Sequence, residues 1–224
     1  MKRIKSLIQQ LGYFSTASYL IARLLDKSLG IQMEHYKFYS QPIPSKPRIL
    51  KSKLDRYEFT WLNQPEKILN ELQRPKEVIE NRFDQGSTCL IAKQNDTFQG
   101  CLWFVKSKYI EDEVRATYHF CDNRVWDYDV YITPKKRFTI LFAALWDSAD
   151  AWMKDNNIAS TLSRISAYNP QSIRSHKAAG AEQIGWMIAI VIKHRQITIS
   201  DKSPRLHFSS KNNMTGPNLY FTKI

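Results

Sequence analysis

The sequence predicts an α+β domain built on a mixed sheet, and three observations predict it. Short β-rich runs occur in pairs separated by polar turns, as in "TCLIAK-QNDT-FQGCLWFV". A strand–helix–strand–helix–strand order follows from Val125 to Ile192. A hydrophobic share of 43% in 224 residues supplies a real core and argues against disorder.

The elements can be justified in order. Ile4, Leu7, Ile8, Leu11, Phe14, Leu20, Ile21, Leu24, Leu25 and Leu29 recur mostly at three- and four-residue steps, which predicts one or two amphipathic helices ending near Gly30. Lys2, Arg3, Lys5, Arg23 and Lys27 add positive charge to this segment. Such a helix lies on an anionic membrane surface, or packs on its own domain or on a second copy; the second is the commoner fate of an apolar stripe and is the expectation here. "SQPIPSKPR" carries Pro42, Pro44 and Pro47 and reads as an extended connector, so residues 1–46 are expected as an extension and 47–224 as the main domain.

"YEFTWL" predicts a strand over 57–62. Two short helical patterns follow, the second opened by Pro75 and stopped at Gly86. The hairpin at "QNDT" comes next, because Asn95 and Asp96 tolerate the left-handed geometry of a tight turn. "ATYHFC" and "VWDYDVYI" are expected to pair around "DNR" in the same way. In "TILFAALWDSADAWMK" the apolar spacing predicts a helix under a Thr139 cap, ending at Asn156 and Asn157. "STLSRISAY" predicts a strand, "NPQSIRSHKAAG" a helix and "IGWMIAIVI" a strand; the last 30 residues read as a terminal hairpin or edge strands.

Composition excludes some functions. Cys89, Cys101 and Cys121 are far apart, without a CxxC spacing or a nearby His pair, which argues against a disulfide framework, against a metal site and for a reducing cytoplasm. The basic N-terminus has its apolar run interrupted by Gln9 and Gln10, so it is not read as a signal peptide, and no stretch has the roughly 20 apolar residues of a membrane span. Lys and Arg number 33 against 21 Asp and Glu, a formal charge of +12, which points to an anionic partner. Nucleic acid ranks last among these, since the basic residues are spread and no helix-turn-helix, zinc finger or RNA-binding aromatic motif is present.

Asn169 before Pro170 is a helix cap followed by a residue pre-set for the first helical turn, and Gly180 stands where a left-handed residue closes the helix. "WDYDV" offers two carboxylates. Residues two apart on a strand share a face, so Asp127 and Asp129 both look into a cleft, with Trp126, Tyr128 and Val130 facing the core, or both are solvated on an exposed face.

Together, "VYITP" with Pro134, the basic loop begun by Arg137, and Asn169, Ser172, His176 and Gly180-Ala181 at their spacing resemble the GNAT superfamily of acyl-CoA-dependent N-acyltransferases, over roughly Thr88 to Ile192. The resemblance implies a mixed, mostly antiparallel sheet flanked by helices. It also implies acetyl-CoA as co-substrate and a small amine-bearing acceptor, such as an amino sugar or a surface-polysaccharide precursor. By the same resemblance, Asn169 and Ser172 contact the cofactor, the amides of Val130 to Ile132 polarise the thioester, and Lys135, Lys136, Arg137 and Thr139 hold its phosphates. Asp129 or Asp127 takes a proton from the amine and His176, in the position of the family's acid, protonates the CoA thiolate. Ile140 and Phe142 occupy the loop's two expected Gly or Ala positions, which departs from the family's pattern and leaves the basic residues to compensate. A non-catalytic binding or scaffold protein on the same fold is the other reading, and a homodimer or peripheral attachment to the inner face of the membrane stays open.

Overall fold

A computed structural model describes residues 2–137 and 139–222, with the side chains of Lys2 and Arg3 outside that description. The charge expected from those two side chains therefore lies outside the described residues. Helices α1 (Lys2–Leu11) and α2 (Tyr13–Leu29) are separated at Gly12, whose φ of 80° breaks the helical run. Strand β1 (Gln32–Pro42) follows, where no strand was expected and only the connector's start was read. Residues 43–50 are irregular, and the Asp147 carboxylate pins them by accepting from the backbone N–H groups of Arg48 and Ile49 at 2.8 and 2.9 Å.

After the single turn α3 (Lys51–Leu54) come β2 (Glu58–Leu62), a 3-10 helix (Lys67–Leu72) and α4 (Lys76–Asp84). Strands β3 (Thr88–Gln94) and β4 (Thr97–Lys106) form the expected hairpin, with Asn95 and Asp96 at φ 50° and 58°, the left-handed pair that a two-residue hairpin turn requires. Then follow β5 (Lys108–Ile110), β6 (Thr117–Phe120), β7 (Arg124–Ile132), a 3-10 turn (Pro134–Lys136) and α5 (Leu141–Asp155). The chain closes with β8 (Ser160–Ser166), α6 (Pro170–Ala178), β9 (Glu182–Ile192), β10 (Arg195–Ser200), β11 (Leu206–Ser209) and β12 (Asn218–Phe221). The class is α+β with a mixed, mostly antiparallel sheet flanked by helices, as expected.

Two compact units alternate along the chain, whereas the prolines suggested a single cut after residue 46. One comprises 1–41, 110–121 and 162–224; the other comprises 42–109 and 122–161. In the second unit the strand order is β7-β4-β3-β2, all antiparallel. Leu90, Leu102, Phe104 and Val125 on one sheet face pack with Leu141, Leu145, Trp146, Ala149 and Met153 of α5. The opposite face buries Cys89, Ile91, Cys101 and Trp103 under Leu69, Leu72 and Ile79.

In the first unit β1 lies between β9 and β8, and β9 continues into β10 and β11. The expected β6–β7 hairpin does not form. β6 instead pairs in parallel with β12, and β7 pairs with β4. The reason is aromatic burial: Tyr118 of β6 and Phe221 of β12 close on Phe38 of β1, with Phe38 ring centroids 5.3 and 4.9 Å away. The four-residue β6 gains more from that cluster than a local turn offers.

Helix α2 inverts the usual pattern. Ser15, Thr16 and Ser18 are its buried residues, Ser18 Oγ lying 2.8 Å from the Nδ1 of the fully buried His35, while Leu20, Ile21 and Leu24 are exposed. Helix α2 packs on its own unit as expected, through Ser18 on His35, Phe14 on Trp186 and Tyr19 on Tyr168, but Leu20, Ile21 and Leu24 of the apolar stripe stay outside that contact. Among the described residues no helix is long and apolar enough to cross a membrane.

Candidate functional site

In the second unit, β7 carries the residues with the richest chemistry, and a bulge decides where they point. Tyr128 opposes Trp103 and Tyr131 opposes Cys101, so Asp129 and Val130 together stand against the single residue Leu102. Asp129 takes the left-handed conformation at φ 49°, the position usually given to glycine in this kind of bulge. A strict two-residue alternation is thereby interrupted, and the shared face expected for the two carboxylates is corrected.

Asp129 turns to the α4 side. Its Oδ2 accepts from Arg82 Nη1 at 2.6 Å and its Oδ1 from Arg74 Nη2 at 2.7 Å. The Arg82 guanidinium is itself held over the rings of Trp103 and Tyr128, at 5.0 and 5.2 Å from their centroids. Both carboxylate oxygens are thus committed to ion pairs. Arg82 was not foreseen, yet the sequence carried a signal: it stands three residues after Ile79, on the buried stripe of "PKEVIENRF", where a lone charge needs a partner.

Asp127 keeps the face of Val125, the face that packs against α5, and is 2% exposed. Burial pushes its carboxyl up from an ordinary value of 3.8 to about 7, with the Thr161 hydroxyl and its own backbone N–H pulling the other way. Its Oδ1 has no hydrogen-bond partner. A buried carboxyl with a raised value is a candidate for proton transfer.

Beyond the bulge, Val130 and Ile132 pack on the α5 side and Tyr131 on the other, where it stacks with Phe98. This also corrects the expectation that Val130 faces with Trp126 and Tyr128. The Thr133 N–H bonds to Gln99 O at 2.9 Å, so by strand alternation the Ile132 amide points away from β4. Gly100 permits this approach, since a Cβ there would lie 2.6 Å from Tyr131 O.

The strand runs into a basic turn. Lys135 and Arg137 are exposed, and half-buried Lys136 donates from Nζ to Gln94 Oε1 at 2.7 Å. Thr139 Oγ1 donates to Lys136 O at 2.7 Å and accepts from the Leu141 N–H at 3.3 Å, one residue ahead of the cap position held by Ile140. Ile140 has φ −70° and Phe142 is the second residue of α5, so the two positions expected to form a glycine cradle are part of the helix entrance instead. Phosphate held here meets side-chain cations and a helix N-terminus rather than a tight nest of amides. A cleft of about 580 Å³ opens at this end of the unit, lined in part by Tyr131, Thr133, Lys135, Lys136 and Gln94, with Glu71 as a carboxylate.

In the first unit, α6 is punctuated as its spelling predicts. Asn169 Oδ1 accepts from the Ser172 N–H at 3.0 Å, and Pro170 fills the first helical position. Gly180 takes φ 88°, and the bonds Ala181 N–H to His176 O and Gly180 N–H to Lys177 O complete a Schellman closure. Asn169 and Ser172 thus meet each other through the cap. His176 is 5% exposed, and burial lowers its imidazole from 6.5 to about 4. At neutral pH the ring is neutral, which corrects the expectation of a group titrating near 6.5 and ready to release a proton.

The first unit also holds an ion cluster that the sequence reading did not foresee. Arg164 donates from Nε to Glu111 Oε2 and from Nη2 to Glu111 Oε1, each at 2.7 Å, and Tyr36 Oη donates to Glu113 Oε2 at 2.7 Å. Among the described residues no group of three or more His, Cys, Asp or Glu side chains is placed to hold a metal ion.

No protein-family model and no curated protein matches the chain. Solved structures similar to it include a functionally unknown conserved protein from Staphylococcus epidermidis, 11% identical at a TM-score of 0.47 over 75% of this chain and 66% of that one. A protein from Novosphingobium aromaticivorans assigned to the GNAT family is 12% identical at a TM-score of 0.49, over 72% of this chain and 66% of that one. A tandem GNAT protein from the clavulanic acid biosynthesis pathway is 10% identical at a TM-score of 0.44, over 75% of this chain and 57% of that one. The chain spans less than two thirds of the length of these three proteins, at 66%, 66% and 57%. At such identities activity has to be argued from this chain's own residues.

Proposed function

We propose that the chain is an acyl-CoA-dependent N-acyltransferase that moves an acetyl group from acetyl-CoA to a primary amine. Asp127 carries this reading: a buried carboxyl poised near pH 7, with one oxygen open, just ahead of an amide directed off the strand and a basic turn. In the reaction Asp127 takes a proton from the ammonium form of the acceptor, and the free amine nitrogen attacks the thioester carbon. The Ile132 amide polarises the carbonyl oxygen as it gains charge. The C–S bond then breaks as the surplus proton of the attacking nitrogen passes to the departing thiolate, giving amide and CoA thiol, so no covalent enzyme intermediate is needed.

Lys135, Lys136, Arg137 and Thr139 are the residues that fit the phosphates of the donor. Their chemistry is that of charge at a helix entrance, where anions are stabilised. For the acceptor we favour a small amine linked to a sugar or phosphate, a reading supported by 33 basic against 21 acidic residues. Three cysteines without disulfide partners are in keeping with a reducing compartment. Asn169 stays a candidate for contact with the donor; its side chain already serves the helix. Asp129, engaged by two arginines, is assigned to shaping the bulge.

A second reading is favoured by one observation: among the described residues of 133–140 none has a positive φ, so the glycine cradle is absent. In that reading the protein is a non-catalytic binding module. Isothermal titration with acetyl-CoA, and with CoA and ADP as controls, separates the two. Micromolar binding that weakens by about tenfold or more when Lys135, Lys136 and Arg137 are all changed to Ala supports the acyltransferase. Absence of heat and of thermal stabilisation at millimolar acetyl-CoA sinks it.

A further inference from the structure

The N-terminal helices present a surface that the proposed chemistry does not use. On α2, Tyr13, Ala17, Leu20 and Leu24 follow at steps of four, three and four, which places them on one stripe, with Phe14 and Ile21 beside it. This stripe faces outward: Tyr13 is 82% exposed, Leu20 43% and Leu24 67%, while the Phe14 ring beside it packs edge-on against His35 and Trp186. The inward side is polar, made of Ser15, Thr16 and Ser18. A helix of a water-exposed surface is built the other way round, so the stripe requires a cover.

Charge identifies the cover. Residues 2–29 contain Lys2, Arg3, Lys5, Arg23 and Lys27 against the single acid Asp26. Arg23 and Lys27 follow Leu20 and Leu24 by three residues each, on one flank of the stripe, and both are exposed. A second copy of the same face would set Arg23 and Lys27 against their like, which like-charge repulsion disfavours. A nucleic acid would satisfy the cations and leave Leu20, Ile21 and Leu24 in water. An anionic bilayer satisfies both, taking leucyl and aromatic side chains at the acyl boundary and basic side chains among its headgroups. Neither α1 nor α2 is long and apolar enough to cross.

We infer that α2, aided by α1, lies flat on an anionic lipid surface with the Tyr13–Leu24 stripe immersed and Arg23 and Lys27 at the headgroups. The docking is independent of the acyltransferase chemistry, and the donor titration above reports on that chemistry alone.

The test is co-sedimentation of the full chain with phosphatidylcholine vesicles holding roughly 30% phosphatidylglycerol, beside vesicles of phosphatidylcholine alone. Binding to the anionic vesicles is expected to exceed binding to the neutral ones by about tenfold or more, and to fall as salt rises from about 0.1 to 0.5 M. The double variant Leu20→Glu with Leu24→Glu should lose about tenfold or more in binding while its circular dichroism and Tm stay unchanged, because both positions are already exposed. If that variant misfolds, Arg23→Glu with Lys27→Glu takes its place and should lose binding to the anionic vesicles by a similar factor. Equal sedimentation of wild type and variant overturns the inference, as does no binding to anionic vesicles. A dimer in light scattering that Leu24→Glu separates, with no vesicle binding, assigns the face to a second copy instead.

Discussion

Arg82 Nη1 donates to Asp129 Oδ2 at 2.6 Å while its guanidinium lies over the rings of Trp103 and Tyr128. This contact ties α4 to the bulge of β7 and holds a non-glycine residue at φ 49°. Removing the arginine leaves the carboxylate with Arg74 alone and opens a gap between two aromatic rings. Arg82→Ala is expected to destabilise the fold by about 3 kcal/mol in urea unfolding. A change within about 0.5 kcal/mol would show that the pair holds nothing in place.

Asp127 sets a pH dependence whose sign follows from burial. Its folded value of about 7 stands above the ordinary 3.8, so between these values the folded state keeps a proton that the unfolded state releases. Its contribution therefore makes stability fall as pH rises from about 4 to about 7, and level beyond. Asp127→Asn should remove this fall, so the variant gains on wild type across that window. With an acceptor in hand, wild-type kcat/KM should rise through pH 7 to a plateau, and the variant should lose about 10²–10⁴-fold. Unchanged turnover in a folded Asp127→Asn protein removes it as the base.

His176 behaves in the opposite sense. Burial lowers it from 6.5 to about 4, so on acidification the unfolded chain takes a proton before the folded one does, and stability is lost as pH falls through this range. An NMR titration should find its imidazole still neutral at pH 5. His176→Gln should keep turnover within about tenfold. A loss of 10²-fold or more, with the fold intact, would return the proton-donor role to it.

At the other helix, Asn169→Ala should cost about 1 kcal/mol of stability by removing the cap to the Ser172 N–H. Asn169→Asp keeps the cap and should cost little. A tenfold loss of acetyl-CoA affinity in the stable Asp variant would assign the Asn side chain to the donor as well.

Gly100→Ala tests the strand that presents the Ile132 amide. Its Cβ would fall 2.6 Å from Tyr131 O, a backbone atom that can move only with β7. Loss of stability of about 1–3 kcal/mol is expected, with weaker acetyl-CoA binding. Wild-type binding in this variant would separate the site from this end of β7.

Much of this architecture could be read directly from local spelling. Asn95-Asp96 specified a hairpin, because those residues tolerate the left-handed turn and β runs flank them. Asn169, Pro170 and Gly180 specified a helix with both its ends, and the apolar spacing of 141–155 specified α5. These elements are set by interactions a few residues apart, which one sequence window contains in full. The bulge at Asp129 left no such trace, since its geometry depends on Leu102 and Arg82 across the unit. So did the partner of β6, decided by Phe38 and Phe221, and the outward turn of the α2 leucines, decided by His35 receiving Ser18. Sequence by itself determined the elements whose signals are local, the β3–β4 hairpin, α5 and α6, and roughly where they stop. Tertiary structure alone decided which side chains face one another, because burial and pairing between distant segments have a free energy larger than any local preference at those positions.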